Sequence, residues 1–386
     1  MFADEYFLPW FERLREEIGE LALFDVHTHI GADDPDGYSC TPERLQEGLG
    51  MVDGRGVVFA MQEPNGYPPA NDRVLAAAEA SEGRLVPLCR VDPRRDAVKE
   101  AERCLAAGAR GIKLHPRAED FTLDIPPVRD LFALADEHAL PILCHACRGI
   151  PALGHDAVEL CGAYPRARLI LAHAGISDLG WIWRRVPEHP NLFFDTSWWM
   201  PADLMALFSL VPPGQILFGS DAPYGTPMFT ATACLRYMLQ AGLNRDQIRS
   251  VIGEQTERLV SGEEPRDLGP APAQGQVSGD VLLDRVYGFL LTAIGQMFAG
   301  VEPTELLSLV RLACEVGDEA PQAPVCRSVL TLLEEREDYV PDEAGRPERF
   351  APGLHFVVLA ACLTRTPVAP LPHDAVAVDV GARERA

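Results

Sequence analysis

Two histidines inside an apolar run are the first residues of this sequence whose types and spacing could do chemistry. The run Phe24–Ile30 contains His27 and His29, separated by one residue. Because side chains alternate between the two faces of a β-strand, residues at this spacing point the same way. Two neutral imidazoles held on a rigid strand make half of a transition-metal site. The motif is short and occurs by chance, so it needs support from the rest of the chain.

That support comes from later strand-like runs, which also end in residues that a metal centre could use. These residues are Lys113, His115, His145, His173 and Asp221. Taken singly, a strand histidine is commonly a satisfied core residue, and an aspartate after a strand commonly forms a turn. Their shared placement favours a site, because buried charged groups are costly unless they are paired or bound to metal.

The elements that position these residues alternate between short apolar strands and amphipathic helices. The predicted strands are Leu23–Ile30, Gly56–Gln62, Leu85–Val91, Gly111–His115, Pro141–Ala146, Leu169–Ala174, Leu192–Thr196 and Ile216–Ser220. The helices predicted between them are Thr41–Met51, Asn71–Glu82, Arg95–Ala107, Pro127–His138, Gly154–Tyr164, Ala202–Ser209 and Thr226–Ala241. This alternation predicts an α/β chain with a parallel sheet, closed as a (β/α)8 TIM barrel whose catalytic groups follow the strands.

The chain extends beyond the barrel on both sides. A short amphipathic helix is predicted over Glu5–Gly19, and Asn244–Val260 is predicted to be the terminal helix of the barrel. We assign residues 1–262 to the barrel, 263–280 to a Pro- and Gly-rich linker, and 281–386 to a small all-helical domain. Its helices are predicted at Val281–Phe298, Thr304–Glu315, Pro324–Glu335 and Leu354–Leu363, and it carries no chemical motif.

Composition narrows the partners of the protein. A chain of 386 residues with 47% hydrophobic residues supports a large core. The net charge of −23 argues against nucleic acid and anionic membrane surfaces as partners. No signal peptide or membrane-spanning segment is recognised, and the ten cysteines lack a secreted-type framework, so a cytoplasmic location is expected. The C-x-x-C of Cys144 and Cys147 encloses His145 and is interpreted as incidental.

The motifs taken together resemble the amidohydrolase superfamily. More narrowly, they are similar to the branch that contains aminocarboxymuconate semialdehyde and resorcylate decarboxylases and several lactonases. The segments that carry the resemblance are 25–29, 111–116, His145, 171–175 and 218–223. The helical domain lies outside them.

The resemblance implies roles for individual residues. It implies that His27, His29, His145 and Asp221 are metal ligands, and that His173 either binds a second metal or acts on the substrate. Lys113 matches the lysine that binuclear members carbamylate as a bridge between two metals; alternatively it grips an anionic substrate or is paired structurally. Asp25 matches, weakly, an acidic residue found near the first histidine motif of the decarboxylases.

The ligand set predicts the chemistry. One or two divalent ions are expected, Zn²⁺ first, with Mn²⁺ or Fe²⁺ also suited to nitrogen and oxygen donors. A bound ion would lower the pKa of a water towards about 7. Asp221 would accept the proton of that water and pass it to the leaving group, and His173 would polarise the substrate carbonyl or stabilise the developing oxyanion.

Residues near the ends of the strands indicate the kind of substrate. Arg90, Arg117 and Arg148, with Lys113, are expected to bind an anionic small molecule, although surface roles for the arginines are equally compatible with their positions. Trp198 is expected to wall a pocket for a ring-shaped group, and Trp181, Trp183, Trp199 and Tyr224 occupy comparable positions. Packing of these loops against each other or against a partner subunit is the alternative.

The leading functional interpretation is a metal-dependent hydrolase that cleaves a C–O or C–N bond of a lactone, amide or ester carrying a carboxylate. The first alternative is a metal-dependent, non-oxidative decarboxylase of an aromatic or muconate-like acid. The second is a barrel without catalysis that serves as a binding or scaffold protein. The helical domain is expected to support a homodimer.

Overall fold

Eight parallel strands form the barrel in the computed structural model, which describes residues 4–147, 149–272, 279–341 and 350–372. The strands are β1 (Phe24–Ile30), β2 (Arg55–Ala60), β3 (two segments, Leu85–Pro87 and Cys89–Arg90), β4 (Ile112–Leu114), β5 (Pro141–Cys144), β6 (Arg168–Leu171), β7 (Leu192–Asp195) and β8 (Ile216–Leu217). Each strand pairs in parallel with the next, and the two segments of β3 pair with β2 and β4 respectively.

The barrel closes between β8 and β1. The backbone N–H of Val26 donates to the carbonyl of Phe218 at 2.8 Å, and that of His29 donates to the carbonyl of Ala222 at 2.7 Å. A parallel bridge also joins Thr28 to Ala222. The predicted (β/α)8 barrel is confirmed, and the carboxyl ends of all its strands meet at one end.

Helices alternate with the strands as the sequence predicted. They are α1 (Asp4–Ile18), α2 (Pro42–Met51), α3 (Pro68–Ala80), α4 (Ala97–Ala106), α5 (Pro126–His138), α6 (Leu153–Ala163), α7 (Leu179–Ile182), α8 (Pro201–Leu210), α9 (Pro227–Ala241), α10 (Arg245–Arg249) and α11 (Gln255–Ser261). A π-helical segment, Ser250–Glu254, joins α10 to α11. This segment passes so close to the start of β1 that a Cβ on Gly253 would lie 2.0 Å from the carbonyl oxygen of Ala22.

Several strands end earlier than predicted, and this changes where the site residues lie. The strands β4, β5 and β6 end before His115, His145 and His173, so that all three histidines belong to the loops that follow. At His173 the cause is the backbone: it has a φ of 56°, as does Ala174, which turns the chain out of the extended conformation. Loops at the carboxyl end can aim side chains over the barrel mouth.

The C-terminal helices pack directly on the barrel. They are α12 (Val281–Phe298), α13 (Thr304–Ala313), α14 (Ala323–Asp338) and α15 (Leu354–Arg365), and they share one apolar core with α1, α8 and α9. The ring of Phe356 lies 5.3 Å from that of Phe7, and the buried guanidinium of Arg236 donates to the carbonyl of Pro370 at 2.8 Å. The predicted C-terminal helical extension is therefore confirmed, and it is attached to the barrel by a continuous core.

The helix α12 is, by its length and apolar composition alone, able to cross a membrane. No membrane-spanning segment was expected from the sequence. One face of α12 is buried against α13 and α15 through Val286, Leu290 and Met297. A core helix of a soluble protein meets the same criteria of length and composition.

Candidate metal centre

Three of the predicted ligands converge at the carboxyl end of the barrel. The Nε2 atoms of His27 and His29 each lie 3.1 Å from Oδ1 of Asp221. The donor atoms of the three residues all fall within 4.8 Å of one another. Both histidines project from β1, whereas Asp221 is turned towards them by a left-handed backbone conformation, φ 60°, that aspartate tolerates better than most residues.

Asp195 determines which nitrogen of His27 carries the proton. This fully buried carboxylate ends β7, and its Oδ2 lies 2.7 Å from Nδ1 of His27. Its Oδ1 accepts hydrogen bonds from the backbone N–H groups of His173 at 2.9 Å and of Ser197 at 3.0 Å. Because a carboxylate accepts hydrogen bonds, His27 donates from Nδ1 and keeps a lone pair on Nε2, the atom that faces Asp221.

A second chain of hydrogen bonds fixes the tautomers of His173 and His145. The Nδ1 of His173 lies 2.7 Å from the carbonyl oxygen of Ser197, which can only accept, so His173 holds a lone pair on Nε2. That Nε2 lies 2.9 Å from Nδ1 of His145, which must therefore donate. The remaining Nε2 of His145 is a buried acceptor that has no hydrogen-bond partner among the described residues.

Burial keeps these imidazoles neutral. It lowers the pKa of His27 and His29 well below their usual range, and Lys113 and His27, respectively, lower them further. It likewise lowers the pKa of His145 and His173. Burial raises the pKa of Asp221 well above its usual range, and the charge of Lys113 opposes this shift. Neutral imidazoles are the protonation state that binds a metal ion.

The residues present fit a divalent metal. The Nε2 atom of His27 and Oδ1 of Asp221 lie 3.1 Å apart, close enough to bind the same divalent ion. The Nε2 of His145 is a buried acceptor without a donor among the described residues. Nitrogen and carboxylate donors of this kind suit Zn²⁺, Mn²⁺ or Fe²⁺. Of the four predicted ligands, His27, His29 and Asp221 form one group. His145 lies outside this group and is hydrogen-bonded to His173.

Lys113 lies beside this group. It is fully buried on β4, with its Nζ 3.3 Å from Nε2 of His27 and 4.7 Å from the centre of the Phe59 ring. Burial, followed by the charge of Arg90, lowers its pKa to about 8. The position is compatible with either predicted role of this lysine, a bridge between metals or a contact to an anionic substrate.

The predicted substrate-binding residues have different environments. Arg90 is buried and pairs with Glu119, Nη2 to Oε1 at 2.8 Å, whereas Arg117 is exposed and has no ion pair within the described ranges. Arg148 lies outside the described residues. Trp198 is half-buried, 6.2 Å from the ring of His173, and its Nε1 donates to Asp203 at 2.7 Å.

Sequence reasoning missed Asp195 and Ser197, and it gave Asp25 a different role. Asp195 ends the apolar run Leu192–Asp195, so the rule that selected the other strand-end residues also applies to it. Asp25 uses its Oδ1 to accept the backbone N–H groups of His27 at 3.0 Å and Ser220 at 2.9 Å. It thereby ties β1 to the segment after β8, and its burial raises its pKa to about 7.

An open groove of about 920 Å³ lies at the other end of the barrel. It is lined by residues that precede β7 and β8, among them Pro187, Pro212 and Gln215, and by the described part of the linker, 265–271. Trp183, one of the loop tryptophans named with Trp198, lines it, whereas the predicted metal ligands, Lys113 and the described predicted arginines do not. The groove is therefore separate from the candidate metal centre at the carboxyl end of the barrel.

Comparisons with known proteins agree with the fold. A family model described as amidohydrolase matches residues 24–259. An uncharacterised TIM-barrel protein from Bordetella bronchiseptica superimposes with a TM-score of 0.51 at 17% identity, covering 63% of this chain and 99% of its own. The 5-carboxyvanillate decarboxylase from Sphingomonas paucimobilis superimposes with a TM-score of 0.51 at 15% identity, covering 63% of this chain and 99% of its own. A protein described as an amidohydrolase from Staphylococcus aureus superimposes with a TM-score of 0.51 at 15% identity, covering 62% of this chain and 100% of its own.

At these identities the structural likeness shows a shared fold and no more. No curated protein sequence matches the chain. The family match ends at residue 259, so the C-terminal helices lie outside it.

Proposed function

The chain belongs to the amidohydrolase family, and from that premise we propose that it is a metal-dependent hydrolase that cleaves a C–O or C–N bond of a small carboxylated substrate. The observation that carries the proposal is the convergence of His27 Nε2, His29 Nε2 and Asp221 Oδ1 within 4.8 Å. These neutral nitrogen donors and the carboxylate oxygen would hold a divalent ion, with His145 as a further ligand. A bound ion of this kind supplies Lewis-acid polarisation and lowers the pKa of water.

Asp221 is placed to accept the proton of the attacking water. Its Oδ1 lies 3.1 Å from Nε2 of both histidines of β1, so a water bound to the same ion would lie next to this carboxylate. Asp195 supports this arrangement by keeping the proton of His27 on Nδ1. The proton that Asp221 receives is then available to the leaving group.

His173 has a tautomer that favours proton acceptance or metal binding. The carbonyl polarisation expected from the sequence requires an N–H on Nε2, whereas the Ser197 carbonyl holds the proton on Nδ1. We therefore assign His173 the role of an acceptor through Nε2. In the structure that atom accepts the N–H of His145, so it would take up a proton or a second metal only after this hydrogen bond is broken.

Cationic groups favour a substrate that carries a carboxylate. The exposed guanidinium of Arg117 has no ion pair within the described ranges, and it contributes to lowering the pKa of nearby His145. Lys113 adds a second cation beside His27. Arg90 is buried and paired with Glu119, so its charge is compensated and we assign it no direct contact with the substrate. A lactone, amide or ester with an anionic group fits this distribution of charge.

The test begins with metal content per chain, measured by elemental analysis on protein purified without chelators. One equivalent would support an unmodified Lys113, and two would support Lys113 as a bridge with His173 as a ligand. Absence of metal even after reconstitution would refute the proposal. A matched set of His145→Ala, Asp221→Asn and His155→Ala then tests the site, because His155 is an exposed histidine stacked on Trp181, outside the group.

The reaction type needs a second measurement on the metal-loaded protein. We expect hydrolysis of a panel of carboxylated lactones, esters and amides, and its loss in Asp221→Asn with no change in His155→Ala. Release of CO2 from aromatic or muconate-like acids without hydrolysis would favour the decarboxylase. Neither activity in a protein that binds metal would favour the binding or scaffold barrel.

A further inference from the structure

Aromatic side chains form a continuous path from the candidate metal centre to the C-terminal helices. The ring of His173 lies 6.2 Å from that of Trp198, edge to face, and Trp198 lies 5.4 Å from Trp199. Trp199 stacks on Phe298 at 4.0 Å with an interplanar angle of 16°, and Phe298 lies 4.5 Å from Phe350. The path crosses from the loop after β7 to the last residue of α12, which is outside the segment that the family match covers.

Trp198 has the properties of a pocket wall. It is half-buried, so part of its side chain remains accessible, and its ring is a neighbour of the His173 ring. Its only polar group, Nε1–H, already donates to Asp203 at 2.7 Å, in the first turn of α8. What Trp198 offers to a bound molecule is therefore its π surface, which favours a planar, apolar group over a polar one.

Phe298 is held from two directions, which allows it to hold Trp199 in turn. It ends α12, whose buried residues Val286 and Met297 lie in the apolar core. The segment that contains Phe350 is tied to the same helix end, because the backbone N–H of Ala351 donates to the carbonyl of Met297 at 2.9 Å. The loop after β7 thus rests on a fixed aromatic surface supplied by the C-terminal helices.

We propose that Phe298 is a specificity-determining residue: its stack on Trp199 positions Trp198 as a wall of the substrate pocket, and this gives the site a preference for planar, aromatic carboxylates. The inference rests on the proposed function, because it takes the group of His27, His29 and Asp221 as the reacting centre. It assigns the C-terminal helices a part in substrate selection.

The experiment compares two carboxylates of similar size on the zinc-loaded, full-length protein by isothermal titration calorimetry. Benzoate is planar, whereas cyclohexanecarboxylate is puckered and lacks a π surface. The variants are Phe298→Ala, Phe298→Tyr as the conservative rescue, and Phe289→Ala as a matched control. Phe289 is a half-buried phenylalanine on the same helix whose ring faces Arg285 at 5.8 Å.

We expect the wild type to prefer benzoate. Phe298→Ala should weaken benzoate binding about fivefold, the size of effect that loss of one aromatic contact produces. The affinities of this variant for cyclohexanecarboxylate and for zinc should stay within about twofold of the wild-type values. Phe298→Tyr should restore the preference, and Phe289→Ala should leave it intact. A change in tryptophan fluorescence in Phe298→Ala would confirm that the stack on Trp199 has been perturbed.

Three results would overturn the inference. They are no preference for benzoate in the wild type, an unchanged preference in Phe298→Ala, or an equal loss for both carboxylates, which would indicate general packing. The proposed function fails separately, through absence of zinc binding in the wild type. In that case the ratio of the two carboxylate affinities, measured on the metal-free protein, still decides whether Phe298 shapes the pocket.

Discussion

Replacing Asp195 by asparagine should weaken metal binding without unfolding the protein. The Oδ1 of Asp195 accepts from the backbone N–H groups of His173 and Ser197 and from the Ser197 hydroxyl, at 2.9, 3.0 and 2.5 Å. An amide nitrogen cannot occupy that position, because it would face two N–H donors. The asparagine must therefore keep its oxygen there and point its NH2 at Nδ1 of His27.

That orientation reverses the tautomer of His27. An NH2 group donates to Nδ1, so a neutral His27 carries its proton on Nε2, the atom that lies 3.1 Å from Asp221 Oδ1. Binding a metal through Nε2 then requires this proton to be moved or lost. Loss of a hydrogen-bonded carboxylate behind a metal-binding histidine costs about 10–100-fold in affinity, which corresponds to about 1.4–2.7 kcal/mol.

The assay is zinc affinity by competition with a chromophoric chelator, together with the midpoint of urea unfolding for the metal-free protein. The matched control is Asp178→Asn. Its carboxylate also accepts several local donors, including Trp181 Nε1 at 3.0 Å, but it lies in the loop after β6 and contacts no predicted ligand. An Asp195→Asn protein that binds zinc within twofold of wild type would show that Asp195 does not set the tautomer of His27.

Three further outcomes are expected. His145→Ala should lower zinc affinity by about tenfold or more, because it removes the buried lone pair that lacks a partner, and the same competition assay measures this. Arg236→Leu should lower the free energy of unfolding, measured in urea, by about 3 kcal/mol, because it leaves the buried carbonyls of the chain after α15 without their donor. The control Arg245→Lys, at an exposed site, should lower it by less than about 0.5 kcal/mol. Hydrogen bonds from Arg103 lower the pKa of Glu100 to about 2, so its contribution to stability is present above the unfolded pKa of 4.5 and is lost as the pH falls towards about 2. Glu100→Gln should therefore cost about 1 kcal/mol at pH 7, allowing for solvent screening, and the difference from wild type should narrow between pH 4.5 and pH 3.

The barrel followed from the sequence because its signal is local and repeated. Apolar runs such as Pro141–Cys144 and Arg168–Leu171 alternate with helical segments, and parallel strands buried on both faces need continuous apolar sequence. The ends of the strands did not follow, because they depend on single backbone conformations. The positive φ of His173 and Asp221 is carried by ordinary residues, without a glycine to mark it.

The sequence indicated the donor residues of the candidate metal centre, but not the residues that hydrogen-bond to them or pair with their neighbours. His27 and His29 were identifiable by their spacing on β1, and Asp221 by its place after β8. Arg90 satisfied the same rule as a substrate-binding cation, yet Glu119, which lies 29 positions later in the sequence, pairs with it inside the structure. Ion pairs between distant positions leave no local pattern, so sequence reasoning could not find this partner. The same holds for Phe298 and Trp199, which only the folding of the C-terminal helices brings together.

The positions of the imidazole lone pairs favour a cation at this site. An acceptor holds the proton of each ring on Nδ1. Asp195 does so for His27, the carbonyl oxygen of Ser197 for His173, and Nε2 of His173 for His145. In each case the consequence is an unprotonated Nε2, and burial lowers the pKa of all three imidazoles. The Nε2 of His173 accepts from His145, which leaves the lone pairs of His27 and His145 for a metal. Histidines placed for packing alone have no reason to share this polarity. The hydrogen bonds therefore preorganise His27 and His145 for metal binding, and the Asp195→Asn experiment reverses the polarity of His27 while leaving that of His145 intact.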